Sequence, residues 1–192
     1  RHRIPPGMHH PDAAQVQAIA QLADVAWIEN WLLREKHNEW GGGQIIGGLA
    51  ANNAGYDGST QIAAVADTGF GGGATNNVHP DIPQARVVAI QNFAGANSRN
   101  CYTVVNDGAV DVDSGHGTHV AGSVLSDGGV NGEGRGVAPA ARFVGQAVEN
   151  FVTFSGLCAI QNANGYYLIG IPDDLNTLFQ GAYSAGARIH SN

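Results

Sequence analysis

An apolar run, Ile62–Ala66, constrains the fold of this chain more than any other feature. From Gln61 to Ala66 there is no alternation of apolar and polar residues, which is typical of a parallel strand covered on both faces. Strands that alternate with helices predict an α/β fold with a doubly wound parallel sheet. The further predicted elements are strands at Arg86–Gln91, Arg142–Val148 and Ala187–His190, and helices at His116–Leu125 and Pro172–Tyr183.

Composition excludes several classes of protein. The chain has 192 residues, enough for one sizeable core and for one or two domains. Its formal net charge is −7, with Lys36 as the single lysine, and it contains no basic stripe that would indicate nucleic-acid binding. No apolar run approaches the roughly 20 residues that a membrane-spanning helix needs. A globular protein with neither nucleic acid nor membrane as a partner is predicted.

The first 37 residues differ in pattern from the rest. Apolar residues at spacings of three and four predict a helix over residues 12–24, and Val25–Glu29 alternates as a strand does. From Asn38 onward the composition changes, with glycines concentrated at Gly41–Gly43 and Gly47–Gly48. We therefore predict a small α+β domain at 1–37 and a larger domain at 38–192.

Two side chains are placed for catalysis. Asp67 ends the apolar strand, and functional groups of open α/β sheets collect at the carboxyl ends of strands. His116 follows a glycine and opens an apolar helix. A carboxylate next to a histidine can hold its tautomer and stabilise the imidazolium, so Asp67 and His116 form two of the three members of a Ser-His-Asp relay.

Two other interpretations of these residues exist. Asp67-Thr68-Gly69 is also the signature of aspartic proteases, which need a second copy or a homodimer so that two carboxylates share a proton. His116 and His119 could suggest a metal, but the zincin pattern requires a glutamate and a spacing of four. We expect no metal at this pair, and we expect His119 to be a hydrogen-bonded structural histidine.

The motifs resemble those of the subtilisin-like serine proteases, or subtilases. Val65–Gly69 resembles their Asp motif and His116–Gly122 their His motif. His79–Asp81 and Gly136–Pro139 resemble two further stretches of the family. The end of the chain, from Leu178 to Asn192, is similar to alkaline, oxidation-resistant bacterial subtilases.

The resemblance implies a secreted serine endopeptidase that acts on proteins or peptides. Asp67 is then the orienting acid and His116 the general base, and residues 1–37 are the C-terminal part of a propeptide. The Gly-Thr-Ser-Met/Leu-Ala nucleophile motif of the family does not occur in these residues. We therefore expect an incomplete subtilisin-like fold and a complementary chain that carries the catalytic serine. The alternative is a non-catalytic subtilase fragment that binds peptides or assists folding.

The resemblance also implies a substrate-binding segment. In subtilases, a backbone segment that precedes a helix pairs with substrate as an extra strand. The corresponding helix of this chain is the one predicted to begin at Pro172. Tyr167, Leu168, Ile169 and Gly170 hold that place here. The whole stretch 149–170, to which these four residues belong, is longer than the usual loop of the family, so a surface hairpin without function is the alternative.

Two features concern structural stabilisation. The loop at Asp127, Asn131 and Glu133 offers oxygen donors where some relatives bind calcium; we expect a solvated turn there, with a structural calcium ion as the alternative. No cofactor is expected for catalysis. Cys101 and Cys158 belong to no metal-binding pattern and are either two buried thiols or one disulfide, which secretion would favour.

Overall fold

The chain forms two compact units, Arg1–Lys36 and His37–Asn192. The structure, a computed structural model, describes residues 12–28, 38, 40–98, 100–129 and 132–192. Among these residues, no helix combines the length and the apolar character needed to cross a membrane.

The first unit contains one helix in its described part. Helix α1, Ala13–Ala20, starts at a capping box in which Asp12 accepts a hydrogen bond from the Gln15 backbone N–H at 2.8 Å and Gln15 Oε1 accepts one from the Asp12 N–H at 2.9 Å. These bonds satisfy N–H groups that have no partner within the helix. The helix ends four residues earlier than the predicted 12–24.

The predicted strand Val25–Glu29 is wrong for the residues that can be judged. Residues 25–28 belong to no strand, and Glu29 lies outside the described residues. A strand requires a neighbour that pairs with its backbone, and alternation of side chains does not supply one. The β part of the predicted α+β domain is therefore not found over 25–28.

The second unit contains the elements on which the site is built. Outside the regular elements below, the chain makes a π-helical turn at Trp40–Ile45 and a 3₁₀ turn at Gln84–Arg86. Its helices and strands within the described residues, in chain order, are α2 Gly48–Asn53, β1 Ile62–Asp67, β2 Val87–Asn92, β3 Tyr102–Val105, α3 His116–Leu125, β4 Arg142–Ala147, β5 Asn150–Phe154, α4 Cys158–Gln161, β6 Gly165–Tyr167, α5 Asn176–Ser184 and β7 Ile189–Ser191.

A parallel sheet with the strand order β2-β4-β1-β7 forms the centre of this unit. Strand β1 pairs with β4 from Ile62↔Arg142 to Asp67↔Ala147, and with β7 on its other side. The residues of β1 from Ile62 to Ala66 are buried, as the apolar run predicts. The parallel α/β fold expected from the sequence is therefore confirmed.

Side chains of β1 pack on both faces of the sheet. On one face, Val65 belongs to a core with Ala121 and Leu125 of α3. On the other face, Ala64 belongs to a core with Ala182 of α5. Helices thus cover both faces, and burying each large aliphatic or aromatic side chain contributes about 1.5–3 kcal/mol.

The second sheet of this unit is antiparallel and has the strand order β3-β5-β6; its strands are interspersed along the chain with those of the central sheet. The predicted long stretch before α5 supplies two of its strands, β5 and β6, which pair from Asn150↔Tyr167 to Val152↔Gly165. A disulfide joins Cys101, next to β3, to Cys158 in α4. The stretch therefore forms a cross-linked hairpin layer rather than an open loop.

Candidate active site

The end of β1 places Asp67. The strand is buried up to Ala66, and the Asp67 side chain is 14% exposed. Its carboxylate oxygen Oδ1 accepts a hydrogen bond from the Thr68 backbone N–H at 2.7 Å, and its backbone carbonyl accepts one from the Val148 N–H at 2.9 Å. Asp67 is therefore held at the carboxyl edge of the sheet with its side chain largely shielded from water.

The start of α3 places His116. Gly115 precedes the helix with a φ of +67°, a left-handed conformation that favours glycine. Gly117 lies directly against the residues that follow β1, since a Cβ atom there would be 2.3 Å from the Gly69 carbonyl oxygen. The absence of a side chain at Gly117 lets the first turn of α3 approach the end of β1.

This approach brings the two predicted side chains together. His116 Nδ1 lies 2.6 Å from Asp67 Oδ1. The His116 side chain is 64% exposed, in contrast to the shielded carboxylate. With the proton on Nδ1 donated to Asp67, the neutral imidazole has its free lone pair on Nε2, which has no hydrogen-bond partner among the described residues. The arrangement can accept a proton at Nε2 and stabilise the resulting imidazolium.

A third carboxylate, not singled out as a site residue from the sequence, joins the same two elements. Asp111 accepts hydrogen bonds from the Thr68 hydroxyl at 2.9 Å and from the Thr118 backbone N–H at 2.8 Å. The signal for it in the sequence is only that it begins the segment that contains His116.

Comparison with known families accords with this geometry. A family model described as the subtilase family matches residues 58–192, which is more than half of the chain and includes Asp67 and His116. The chain belongs to the subtilase family. The resemblance predicted from the motifs is confirmed. Because subtilases are serine peptidases, the family is at odds with the aspartic-protease alternative, and it implies protein substrates.

The serines near this subtilase site have other partners. Ser114 Oγ accepts a hydrogen bond from the His116 backbone N–H at 3.2 Å. Ser123 Oγ donates to the His119 carbonyl at 3.1 Å and accepts from Asn38 at 3.0 Å. In the described part of the chain, neither hydroxyl is hydrogen-bonded to the His116 ring.

The prediction for His119 as a hydrogen-bonded structural histidine is wrong within the described residues. Its side chain is exposed and its ring makes no hydrogen bond there. No group of three His, Cys, Asp or Glu side chains is arranged for a metal ion in the described part of the chain.

The predicted substrate segment lies at the end of the antiparallel sheet. Tyr167 pairs with Asn150 in that sheet, and its hydroxyl donates to the Ala163 carbonyl at 2.8 Å. Gly170 is buried, and its N–H donates to the Val148 carbonyl at 2.8 Å. Between them, the N–H groups of Leu168 and Ile169 have no acceptor among the described residues. Of the four, these two keep free backbone donors.

The loop considered for calcium uses its first carboxylate internally. Asp127 Oδ1 accepts a hydrogen bond from the Gly129 N–H at 2.8 Å, and Oδ2 lies 3.6 Å from Arg86 Nη2. Glu133 is exposed, and Asn131 lies outside the described residues. The described residues do not assemble a set of calcium ligands here, and a structural calcium ion stays the alternative to the predicted solvated turn.

Negative charge surrounds the site of this subtilase. Burial raises the pKa of the Glu149 carboxyl, and the charges of Asp113, Asp111, Asp107 and Asp67 raise it further. Burial also raises the pKa of Asp107.

Proposed function

We propose that this chain supplies the orienting acid and the general base of a serine endopeptidase. The observation that supports this most directly is the contact between His116 Nδ1 and Asp67 Oδ1 at the adjoining ends of β1 and α3. Asp67 fixes the His116 tautomer, and the His116 Nε2 lone pair is left to take a proton.

The reaction is peptide-bond hydrolysis in two stages. His116 Nε2 takes the proton of a serine hydroxyl while the serine oxygen attacks the carbonyl carbon of the scissile bond. The imidazolium, stabilised by Asp67, then returns that proton to the leaving amine and an acyl-enzyme remains. In the second stage His116 takes a proton from the water that attacks the ester carbonyl carbon, and it then gives that proton to the serine oxygen as the ester bond breaks, which releases the free acid and restores the serine hydroxyl. The proposed chemistry uses only protein groups and water.

The nucleophilic serine is proposed to come from a segment outside these 192 residues. Support comes from the hydrogen bonds of Ser114 and Ser123, which engage backbone groups and Asn38. We propose that this segment, whether continuous with the chain or a separate polypeptide, places its serine hydroxyl next to His116 Nε2.

Substrate binding is proposed to use Tyr167–Gly170, mainly through backbone groups. The free N–H groups of Leu168 and Ile169 are suited to pair with an extended peptide, and the Leu168 side chain is 51% exposed. Tyr167 and Gly170 hold the two ends of the segment through their own internal hydrogen bonds.

Secretion and a propeptide role for residues 1–37 are also proposals. The Cys101–Cys158 disulfide suits an oxidising compartment, and subtilases are often secreted. Self-processing near Asn38 would give a new N-terminus there, which N-terminal sequencing of the active enzyme detects. Full activity with residues 1–37 still attached would contradict the propeptide role.

The test compares two histidine variants of the complete protein, which includes the segment with the serine. His116→Ala is expected to lower the turnover of an unfolded protein substrate by about 10⁴-fold or more. His119→Ala is the matched control, since its exposed ring lies on the same helix and makes no hydrogen bond among the described residues. Equal activity of both variants would contradict the role of His116, and a wild-type protein that binds peptides without cleaving them would favour the non-catalytic alternative.

A further inference from the structure

We propose that Asp111 is a positioning residue that holds the Asp67–His116 pair together. This inference rests on the proposed function, because it concerns the same two side chains. Asp111 lies in the loop before α3 and contacts neither member of the pair in a hydrogen bond; it acts through the threonines beside them.

Each oxygen of Asp111 binds one of the two elements. Oδ1 accepts the Thr68 hydroxyl at 2.9 Å, and Thr68 directly follows Asp67. Oδ2 accepts both the Thr118 N–H at 2.8 Å and the Thr118 hydroxyl at 2.5 Å, and Thr118 lies two residues after His116. One carboxylate therefore connects the end of β1 with the first turn of α3.

The direction of every hydrogen bond in this network is fixed. The Thr68 hydroxyl oxygen accepts the Gly117 backbone N–H at 2.9 Å, and the Thr118 hydroxyl oxygen accepts the Gly71 backbone N–H at 2.8 Å. A backbone N–H only donates, and each hydroxyl has one hydrogen, which it donates to Asp111. Both oxygens of residue 111 must therefore accept, which a carboxylate does and an amide does not.

Backbone hydrogen bonds fix the loop that carries Asp111 to the same place. The Asp111 N–H donates to the Gly71 carbonyl at 3.0 Å, and the Phe70 N–H donates to the Ala109 carbonyl at 2.9 Å. The turn after β1, the loop and the start of α3 are thus joined into one unit. A hydrogen bond of 2.6 Å between Asp67 and His116 tolerates little relative movement of these segments, since such bonds weaken steeply outside a narrow range of distance and angle.

Asp111→Asn tests the proposal because it keeps the shape and turns one acceptor into a donor. We expect kcat of the complete enzyme to fall about 10- to 100-fold with little change in KM, as for a catalytic group displaced by a fraction of an ångström. We also expect the low-field proton NMR signal of the His116 Nδ1–H, which reports its hydrogen bond to Asp67, to move upfield or disappear.

Asp113→Asn is the matched control. Asp113 is an exposed carboxylate two residues away, contributes to the same electrostatic field around Glu149, and makes no hydrogen bond in the described part of the chain. This variant removes the same charge without removing the network, so kcat and the His116 signal should stay close to those of the wild type. If Asp111→Asn and Asp113→Asn have the same effects, the charge alone acts and the positioning role is refuted.

Two variants of Thr118 keep the test valid if Asp111→Asn does not fold. Thr118→Ser retains the hydroxyl that bridges Gly71 and Asp111, whereas Thr118→Val removes it and keeps the branched shape. We expect the serine variant to retain the low-field His116 signal and the valine variant to lose it; equal signals in both would overturn the proposal. The NMR comparison tests the positioning role of Asp111 and does not depend on turnover. The turnover of His116→Ala tests the proposed function, so the two proposals can be refuted separately.

Discussion

Gly117→Ala perturbs the close approach of α3 to β1 that brings Asp67 and His116 together. A Cβ atom at position 117 would lie 2.3 Å from the Gly69 carbonyl oxygen and 3.1 Å from the Asp67 Cβ. The first of these neighbours is backbone, so it cannot rotate out of the way. To restore ordinary contact, the start of α3 and the end of β1 must separate by about 1 Å.

Two opposing effects set the expected stability. Alanine in place of glycine within a helix stabilises by roughly 0.5–1 kcal/mol, whereas an extra methyl group in a closely packed place costs about 1–3 kcal/mol. Since the overlap is with backbone, the second effect dominates, and we expect a net loss of about 1–2 kcal/mol in the free energy of unfolding. A 1 Å displacement of His116 from Asp67 should in addition lower turnover about 100-fold.

The assay is chemical unfolding together with peptide hydrolysis, both on the complete enzyme. Gly122→Ala is the control, since Gly122 belongs to the same helix and a Cβ there would meet no atom within 4 Å. It should stabilise by about 0.5–1 kcal/mol and leave turnover unchanged. If Gly117→Ala were as stable and as active as Gly122→Ala, the close approach of α3 to β1 would not be what assembles the site.

Two further changes test the hairpin layer and the acidic surroundings. The Cys101–Cys158 disulfide closes a loop of 57 residues, so its reduction should lower the free energy of unfolding by up to about 4 kcal/mol. The same reductant should not change the stability of the variant in which both cysteines are serine, because that variant has no disulfide to reduce. Glu149 has a folded-state pKa raised by burial and by nearby acids, so its ionisation destabilises the fold as the pH rises above the unfolded value of about 4.3. Glu149→Gln should therefore raise Tm at pH 7 and not at pH 3, whereas the exposed Glu133→Gln should change Tm little at either pH. Equal responses of the two glutamine variants would contradict the assigned cause.

The two elements that carry Asp67 and His116 were predictable because their signals are local. The apolar run predicted a strand at Gln61–Ala66, and β1 extends over Ile62–Asp67. The predicted helix His116–Leu125 agrees with α3, whose start is fixed by the glycine before it. Helix α5 begins at Asn176 instead of Pro172, since the Asp174 carboxylate accepts the Asn176 N–H at 3.0 Å and the preceding residues form turns.

The features that the sequence did not predict depend on contacts between distant residues. Strand β3 pairs with β5 across about fifty residues of chain. Neither strand was predicted, because a local sequence pattern does not identify the distant strand with which a segment pairs. The contact of Asp111 with Thr68 was not predictable, because the two residues are 43 positions apart in the chain and only the fold brings the Thr68 hydroxyl to the Asp111 carboxylate. The strand prediction over residues 25–28 was wrong for the converse reason. The local alternation is present there, but these residues form no strand in the structure.

The most direct test of the central claim is labelling of the nucleophile in the complete enzyme. A fluorophosphonate reacts with a serine that a neighbouring histidine activates, and the modified residue is identified by mass spectrometry. The account predicts one adduct, on a serine outside residues 1–192, formed at least about 10³-fold more slowly in His116→Ala than in the wild type or in His119→Ala. Labelling at Ser114 or Ser123, or an equal rate in His116→Ala, would contradict the claim that Asp67 and His116 serve a serine nucleophile beyond this chain.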